Sequence, residues 1–251
     1  MITSRQNQLI KLIRSLKDKK YRDAEGLYVV EGVKLVREAY GLGLNIHSVI
    51  CTEKGYAAIK DVPELCATAQ LVADEVFNSA SGEVSPQGVL AVLVKPTFAI
   101  AAPQGCCLYL DGVSDPSNVG MIIRTAAAAG YNDIYLANCA DPFSPKAVRA
   151  SMGGIFRIRT HVGKEDEVLK AVDCPIVVAD MGGVNVFDGK IDGKFCLVIG
   201  NEGHGVSTSL RARATFTVSI PMQNGMESLN AGVSAAILMY TLKNQHTDVC
   251  S

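Results

Sequence analysis

The stretch LYLDGVSDPSNVGMIIRTAAAAG, Leu108 to Gly130, sets the reading of this chain. An apolar, β-rich run ends in a polar turn of Asp115, Pro116, Ser117, Asn118 and Gly120, and a helix of small and apolar residues follows. Ser117 or Asn118 reads as the helix N-cap, with Pro116 stiffening the entry. Gly120 allows close approach of the backbone to a neighbour. Capping rules account for all of this except Arg124, the one charge in an otherwise apolar and small-residue helix. Its planar fork of donors suits a phosphate.

The pattern repeats outward from this point. Apolar runs CLYLDGV, DIYLAN, IFRIRTHV, PIVVAD, FCLVIG and TFTVSIP alternate with helical stretches NVGMIIRTAAAAG, SPKAVRASMGG and EDEVLKAV, and the last helix is ESLNAGVSAAILMYTLKNQ. Strands apolar at consecutive positions are covered on both faces. The alternation predicts an α/β fold with a mostly parallel sheet flanked by helices. In such sheets ligands bind beyond the carboxyl ends of the strands.

Two further loops there carry polar residues. LVIGNEGHGVS, Leu197 to Ser207, places Asn201, Glu202 and His204 among glycines after a strand. It matches neither G-x-G-x-x-G nor the P-loop pattern, so it suits a ligand held through backbone groups rather than phosphates. His204, between glycines, reads as solvent-facing. SIPMQNGMESLNAGVSAAILMY places Ser228 and Asn230 at the mouth of a buried helix, with Ser228 or Glu227 as its expected cap. A core helix of small residues explains Ala231 to Tyr240 but not Asn230.

The N-terminal part has a different character. Leu9, Leu12, Ile13 and Leu16 predict a helix from about Ser4 to Lys19. Residues 1–23 hold seven Lys or Arg against Asp18 and Asp23, a local surplus of +5. Strands at LYVVEG, IHSVICT and GVLAVLV and helices at KLVREAYGLG and QLVADEVFNSAS complete a small α/β domain, residues 1–95. KPTFAIAAPQG, residues 95–105, holds two prolines and no clear period, so 96–105 reads as a linker and 106–251 as the second domain.

The totals set bounds. The chain has 251 residues, 48% of them apolar, and a net charge of −1, so any attraction to nucleic acid is local. No run approaches a membrane span. The basic, amphipathic N-terminus lacks a secretory h-region, although a mitochondrial presequence has a similar composition. A cytoplasmic protein is expected. The eight cysteines include no C-x-x-C pair and read as reduced, buried small hydrophobes without a metal site.

DGVSDPSNVGMIIRTAAAAG, LVIGNEGHGVS and IPMQNGMESLNAGVSAAILMY resemble, in order and spacing, the three motifs of the SpoU (TrmH-type) RNA ribose 2′-O-methyltransferases of the SPOUT class. SRQNQLIKLIRSLKDKKYRDAEGLYVVEG and SPQGVLAV resemble that family's substrate-binding domain, so the resemblance covers most of the chain. The helix after SLN, AGVSAAI, is richer in small residues than the family pattern.

The resemblance implies a parallel sheet with a C-terminal trefoil knot, a small N-terminal RNA-binding domain, a homodimer, and S-adenosylmethionine as methyl donor to a ribose 2′-hydroxyl of tRNA or rRNA. By motif position it implies catalytic roles for Asn118, Arg124, Glu202, Ser228 and Asn230. It places Gly200, Ile220, Met222 and Leu229 around the cofactor, with the loop Ala179 to Gly182 as a further contact. Family mechanisms cast Arg124 as proton acceptor. Because a guanidinium loses its proton only at very high pH, its expected role is to clamp a phosphate and stabilise charge on O2′. RNA is expected to follow Arg14, Lys20, Arg22, Lys34, Lys146 and Arg149, the last two beside the catalytic site. Two other readings stay open: a non-catalytic RNA-binding module that keeps the fold, and a different nucleotide-dependent α/β enzyme such as an NAD-linked one, against which the missing phosphate fingerprint argues.

Overall fold

The computed structural model describes residues 1–188 and 190–244. The chain forms two compact units, one of Met1–Thr97 with Phe143–Gly153, the other of Phe98–Pro142 with the residues from Gly154 on.

The first unit contains α1 (Gln8–Ser15), α2 (Lys19–Glu25), β1 (Leu27–Glu31), α3 (Val33–Gly41), β2 (Ile46–Cys51), α4 (Glu53–Ile59), α5 (Pro63–Thr68), β3 (Ala69–Leu71), α6 (Asp74–Ala80) and β4 (Val89–Val94). Its sheet runs β1-β4-β2-β3, with β4 antiparallel to both neighbours and β3 parallel to β2. Ile10, Ile13 and Leu16, one helical face by spacing, pack on Val29, Ile50, Leu90 and Val92. Three short elements, α4, α5 and β3, were not expected. Each is too brief for its own periodicity to stand out.

The basic N-terminal segment is not one helix. It breaks after Ser15, and α2 begins at Lys19. The break has a physical cause in Arg22. Its side chain is buried, 3% exposed, and Nη1 donates to the carbonyls of Leu16 and Lys17 at 2.7 Å each. These are carbonyls that a helix end leaves without intrahelical partners. Arg22 therefore belongs to the interior and not to an RNA-facing surface.

The second unit contains β5 (Cys107–Asp111), α7 (Pro116–Ala128) and β6 (Asp133–Ala137). The next helix, α8 (Pro145–Ser151), belongs to the first unit and packs on β1. The second unit resumes with a 3₁₀ turn (Gly154–Phe156), β7 (Arg159–Gly163), α9 (Glu165–Ala171), β8 (Ile176–Asn185), β9 (Cys196–Ile199), α10 (Thr208–Ala212), β10 (Phe216–Ser219) and α11 (Ala231–Asn244). Its sheet runs β10-β8-β9-β5-β6-β7, and every pairing is parallel. Tyr109, Tyr135, Val178 and Val198 lie in one core with Val168, Leu169 and Leu210. Against the expected 1–95, 96–105 and 106–251, residues 98–105 fall in the second unit and not in a linker, and residues 143–153, which carry Lys146 and Arg149, fall in the first.

Within this sheet two elements depart from expectation. IFRIRTHV is a strand only from Arg159. Its front half is the 3₁₀ turn, which approaches α7 so closely that a Cβ on Gly154 would lie 2.8 Å from Arg124 Cα. β8 is longer than PIVVAD. Its ladder with β10 jumps from Val178 opposite Thr217 to Val184 opposite Val218, so residues 179–183 bow out of the pairing. At the return point a Cβ on Gly183 would meet the Val218 carbonyl carbon at 2.5 Å, which only glycine avoids.

Among the described residues no helix is long and apolar enough to cross a membrane, and no group of three or more His, Cys, Asp or Glu could hold a metal ion. Seven cysteines are free thiols, of which Cys51, Cys66, Cys107 and Cys196 are buried, whereas Cys106, Cys139 and Cys174 are half-buried. Cys250 lies outside the described residues.

Candidate active site

Three loops meet beyond the carboxyl ends of β5, β9 and β10. The first begins α7. Its cap is Asp115, whose side chain accepts from Ser117 N–H at 2.8 Å, with Pro116 at the first helical position. The expected caps, Ser117 and Asn118, lie inside the helix instead. Such a cap contributes about 1 kcal/mol. It also frees Asn118, which is 3% exposed, for other work.

The partners of Asn118 come from the other two loops. Its Nδ2 donates to Glu202 Oε1 at 2.9 Å, and its Oδ1 accepts from Asn230 Nδ2 at 2.9 Å. Glu202 also accepts from Ser114 N–H at 3.1 Å, Ser114 O–H at 3.0 Å and Asp115 N–H at 3.3 Å. Burial works to raise the Glu202 carboxyl, but the Asn118 amide and the backbone N–H groups of Glu202, Ser114 and Asp115 outweigh it, and the group is pushed down to about 2. It is a fixed carboxylate and a weak base.

Asn230, unexplained as a core residue, is the N-cap of α11. Its Oδ1 accepts from Gly232 N–H at 2.9 Å and Val233 N–H at 3.3 Å. The helix therefore starts at Ala231, not near Ser228, and neither Ser228 nor Glu227 caps it.

The second loop is held by Asn201. Its Nδ2 donates to Gly112 O at 2.7 Å, and its Oδ1 accepts from Gly203 and His204 N–H. Its backbone exchanges two hydrogen bonds with Gly205, each 2.9 Å. This tight return forces glycine at 200, where a Cβ would sit 2.3 Å from Gly205 carbonyl carbon, and at 205, where φ is +68°.

Beside these loops lies a cavity of about 450 Å³, within the roughly 300–1,000 Å³ typical of small-molecule sites. Its apolar wall comes from Ile199, Ile220, Leu229 and Leu238, and its polar rim from Asp180, Glu202, Arg211 and Ser228.

Two family models cover most of the chain: the SpoU rRNA Methylase family over residues 105–240, and the MRM3-like substrate binding domain over residues 7–91. The chain belongs to the SpoU rRNA methylase family. It is 30% identical to the Bacillus subtilis (strain 168) 23S rRNA (guanosine(2553)-2′-O)-methyltransferase RlmP over 96% of this chain and 98% of that one. The crystal structure of the AdoMet-bound rRNA methyltransferase from Sinorhizobium meliloti superposes with a TM-score of 0.86 at 28% identity, covering 100% of this chain and 98% of that one. A putative RNA methyltransferase of the TrmH family from Porphyromonas gingivalis gives 0.82 at 32% identity, covering 98% and 99%.

Of the residues that the SpoU motifs single out, Asn118, Glu202 and Asn230 are joined in one hydrogen-bonded cluster, and Ser228 lines the cavity. Arg124 stands apart from that cluster. It is exposed on α7, and among the described residues its guanidinium has no partner. Ala179, Gly200, Ile220, Met222 and Leu229 line the cavity. Gly182 does not; it lies exposed in the bowed segment with open space beside it.

All six residues expected to meet RNA lie in the first unit. Arg14, Lys20, Lys34, Lys146 and Arg149 are exposed, whereas Arg22 is buried. Arg149 is ion-paired with Glu83 and donates to Gly82 O at 3.2 Å. Lys146 and Arg149 belong to the first unit's α8, not to the second unit that holds the cavity.

The sequence reading assigned no role to Asn201 or Arg211, and Asp180 entered only within the stretch Ala179 to Gly182. Asn201 stood in the quoted loop, and its position after a strand and before glycines was an available signal. Asp180 and Arg211 are 2.5 Å apart in space, yet no local spacing links them.

Proposed function

We propose that this enzyme transfers the methyl group of S-adenosylmethionine to a ribose 2′-hydroxyl of RNA, with ribosomal RNA as the substrate class. The carrying observation is the cluster in which Asn118 joins Glu202 and Asn230, three residues from three motif loops, beside a cavity of cofactor size.

The cavity fits such a cofactor by its chemistry. Ile199, Ile220, Leu229 and Leu238 offer an apolar bed for a purine, and the close-packed glycine return at Gly200 offers backbone. Ala179, Gly200, Ile220, Met222 and Leu229 would hold it. When bound, the cofactor supplies a methyl on a positively charged sulfur.

The residues of the chain do the rest. Arg124, exposed and without a competing carboxylate among the described residues, binds a phosphate of the target and stabilises charge as it develops on O2′. Glu202 does not take the ribose proton, since a carboxyl pushed down to about 2 is too weak a base. It fixes Asn118, which orients the ribose together with Asn230. Ser228, at the rim, presents a hydroxyl to the same substrate. Arg14, Lys20, Lys34, Lys146 and Arg149 track RNA phosphates.

The enzyme acts as a homodimer. Support comes from Met121 on α7 and from Val233 and Tyr240 on α11, large apolar residues 37%, 47% and 45% exposed on two helices that pack together. A knotted passage of the C-terminal segment belongs to the same reading. It is supported by α11 returning onto α7 and β9 from the far edge of the sheet. Free thiols at the seven described cysteines support a reducing, cytoplasmic setting.

The test is methyl incorporation from labelled S-adenosylmethionine into RNA of a strain lacking the gene, with mapping of the modified nucleotide. Label at one ribose 2′-oxygen is expected. Binding of the cofactor without incorporation into any RNA would favour the non-catalytic module, and binding of NAD instead would favour the other enzyme class.

A further inference from the structure

The cavity's charged rim is more specific than a methyl donor's adenosine half requires. Asp180 comes from the bowed segment of β8 and Arg211 from α10, and Arg211 Nη1 meets Asp180 Oδ2 at 2.5 Å. Arg211 Nε donates to Val206 O at 2.9 Å, so the guanidinium is held from two sides. Those two bonds leave three of its five N–H donors for other partners. Arg211 is the one Lys or Arg among the residues lining the cavity, which also include the carboxylates Asp180, Glu202 and Glu227. Glu202 is already occupied by Asn118, Ser114 and Asp115.

A ligand that meets this rim with an uncharged group leaves a guanidinium and a carboxylate facing it with fewer water partners. A group carrying an ammonium and a carboxylate on the same carbon satisfies both at once. We propose that the Arg211–Asp180 pair is the subsite for the α-amino-acid end of S-adenosylmethionine, Arg211 taking the carboxylate and Asp180 the ammonium. This rests on reading the cavity as the cofactor site. Arg211 is prealigned by Val206 O, which suits it to a carboxylate through more than one N–H. Asp180 is steadied by Gly182 N–H at 3.3 Å.

Calorimetry with two ligands tests the subsite. S-adenosylmethionine and its decarboxylated form share adenosine, sulfonium and ammonium and differ in the one carboxylate. The wild-type enzyme is expected to bind the complete cofactor about tenfold or more tightly than the decarboxylated one, the size of a hydrogen bond to a charged group. Arg211→Ala should bring that ratio close to one while leaving affinity for the decarboxylated ligand nearly unchanged, and Arg211→Lys should restore part of it. Asp180→Asn should weaken both ligands, since both carry the ammonium, and should spare 5′-methylthioadenosine, which lacks the amino acid. Equal weakening of both ligands by Arg211→Ala, with the ratio kept, would show that Arg211 only braces the loop, and the subsite is then wrong. Cofactor binding without discrimination by the wild type also overturns the subsite alone. No cofactor binding by the wild type overturns the cavity's assignment and the subsite with it.

Discussion

Asn118 Nδ2 lies 2.9 Å from Glu202 Oε1, and the opposite end of the same amide accepts from Asn230. One buried side chain thus spends its donor on the second motif loop and its acceptor on the third. A two-ended amide is the residue type this geometry demands, because aspartate has no donor for the carboxylate and leucine of similar size has neither group.

Asn118→Ala is therefore expected to lose both tethers. The unpartnered groups left behind should lower stability by about 1–3 kcal/mol, measured by urea unfolding. Methyl transfer should fall at least tenfold at saturating cofactor. Asn118→Asp should be worse than Ala near neutral pH, because it sets a second carboxylate against Glu202. Equal activity in the Ala variant and the wild type would remove Asn118 from the site.

Glu202 carries a pH signature. An unfolded glutamate titrates near 4.5, whereas the folded carboxyl is pushed down to about 2. As pH falls through this window the unfolded chain takes up the proton first, so stability falls with pH. The contribution is complete above about 4.5 and gone below about 2, and it is reduced by the solvent exposure of the group. Urea unfolding of the wild type and Glu202→Gln should differ most at pH 6 and converge toward pH 2. Divergence on acidification would contradict the assignment.

Arg124→Ala removes a guanidinium with no partner among the described residues, so stability should stay within about 0.5 kcal/mol. Cofactor affinity should be unchanged and methyl transfer should be lost. Arg124→Lys should recover little, because an ammonium does not reproduce the planar fork. Near-normal turnover of the Ala variant would remove the role.

Gly200→Ala inserts a methyl 2.3 Å from the Gly205 carbonyl carbon, a contact backbone cannot yield easily. Overpacking of this kind costs roughly 1–3 kcal/mol. The expected result is a folded protein with lowered Tm and cofactor binding weakened by more than tenfold. Gly182→Ala, with open space beside it, should leave binding intact.

Arg22→Ala separates structure from recognition. Two carbonyls at the end of α1 lose their donor, and the loss should exceed that of a surface charge, about 1–3 kcal/mol. RNA affinity of the folded protein should be unaltered, while Lys20→Ala or Lys34→Ala should weaken RNA binding and reduce its salt dependence.

These cases show where sequence reading succeeds. β5, β6 and β9 were legible because strands buried on both faces are written as unbroken apolar runs; the loops after β5 and β9 hold Asn118 and Glu202, and the loop after β10 holds Asn230. Local rules then misled at the caps. Asp115, Ser117 and Asn118 are equally good capping types, and which one caps depends on a partner 84 residues on. Arg22 looks like its basic neighbours until the break after Ser15 turns it inward. Lys146 and Arg149 follow the first motif in sequence, but their helix packs on β1, a long-range contact that no periodicity encodes. Asp180 and Arg211 meet only because residues 179–183 bow out of their ladder.

The capping of α11 by Asn230 has a consequence for synthesis. Asn118 leaves the ribosome 84 residues before Glu202 and 112 before Asn230. Until those residues are made it can form neither bond, and the helix that Asn230 caps follows every other described element in the chain. A chain that stops short of Asn230 thus holds every residue of its first unit while the second unit still lacks its relay of amides. The cluster closes in one late step, and only chains that reach Asn230 acquire it.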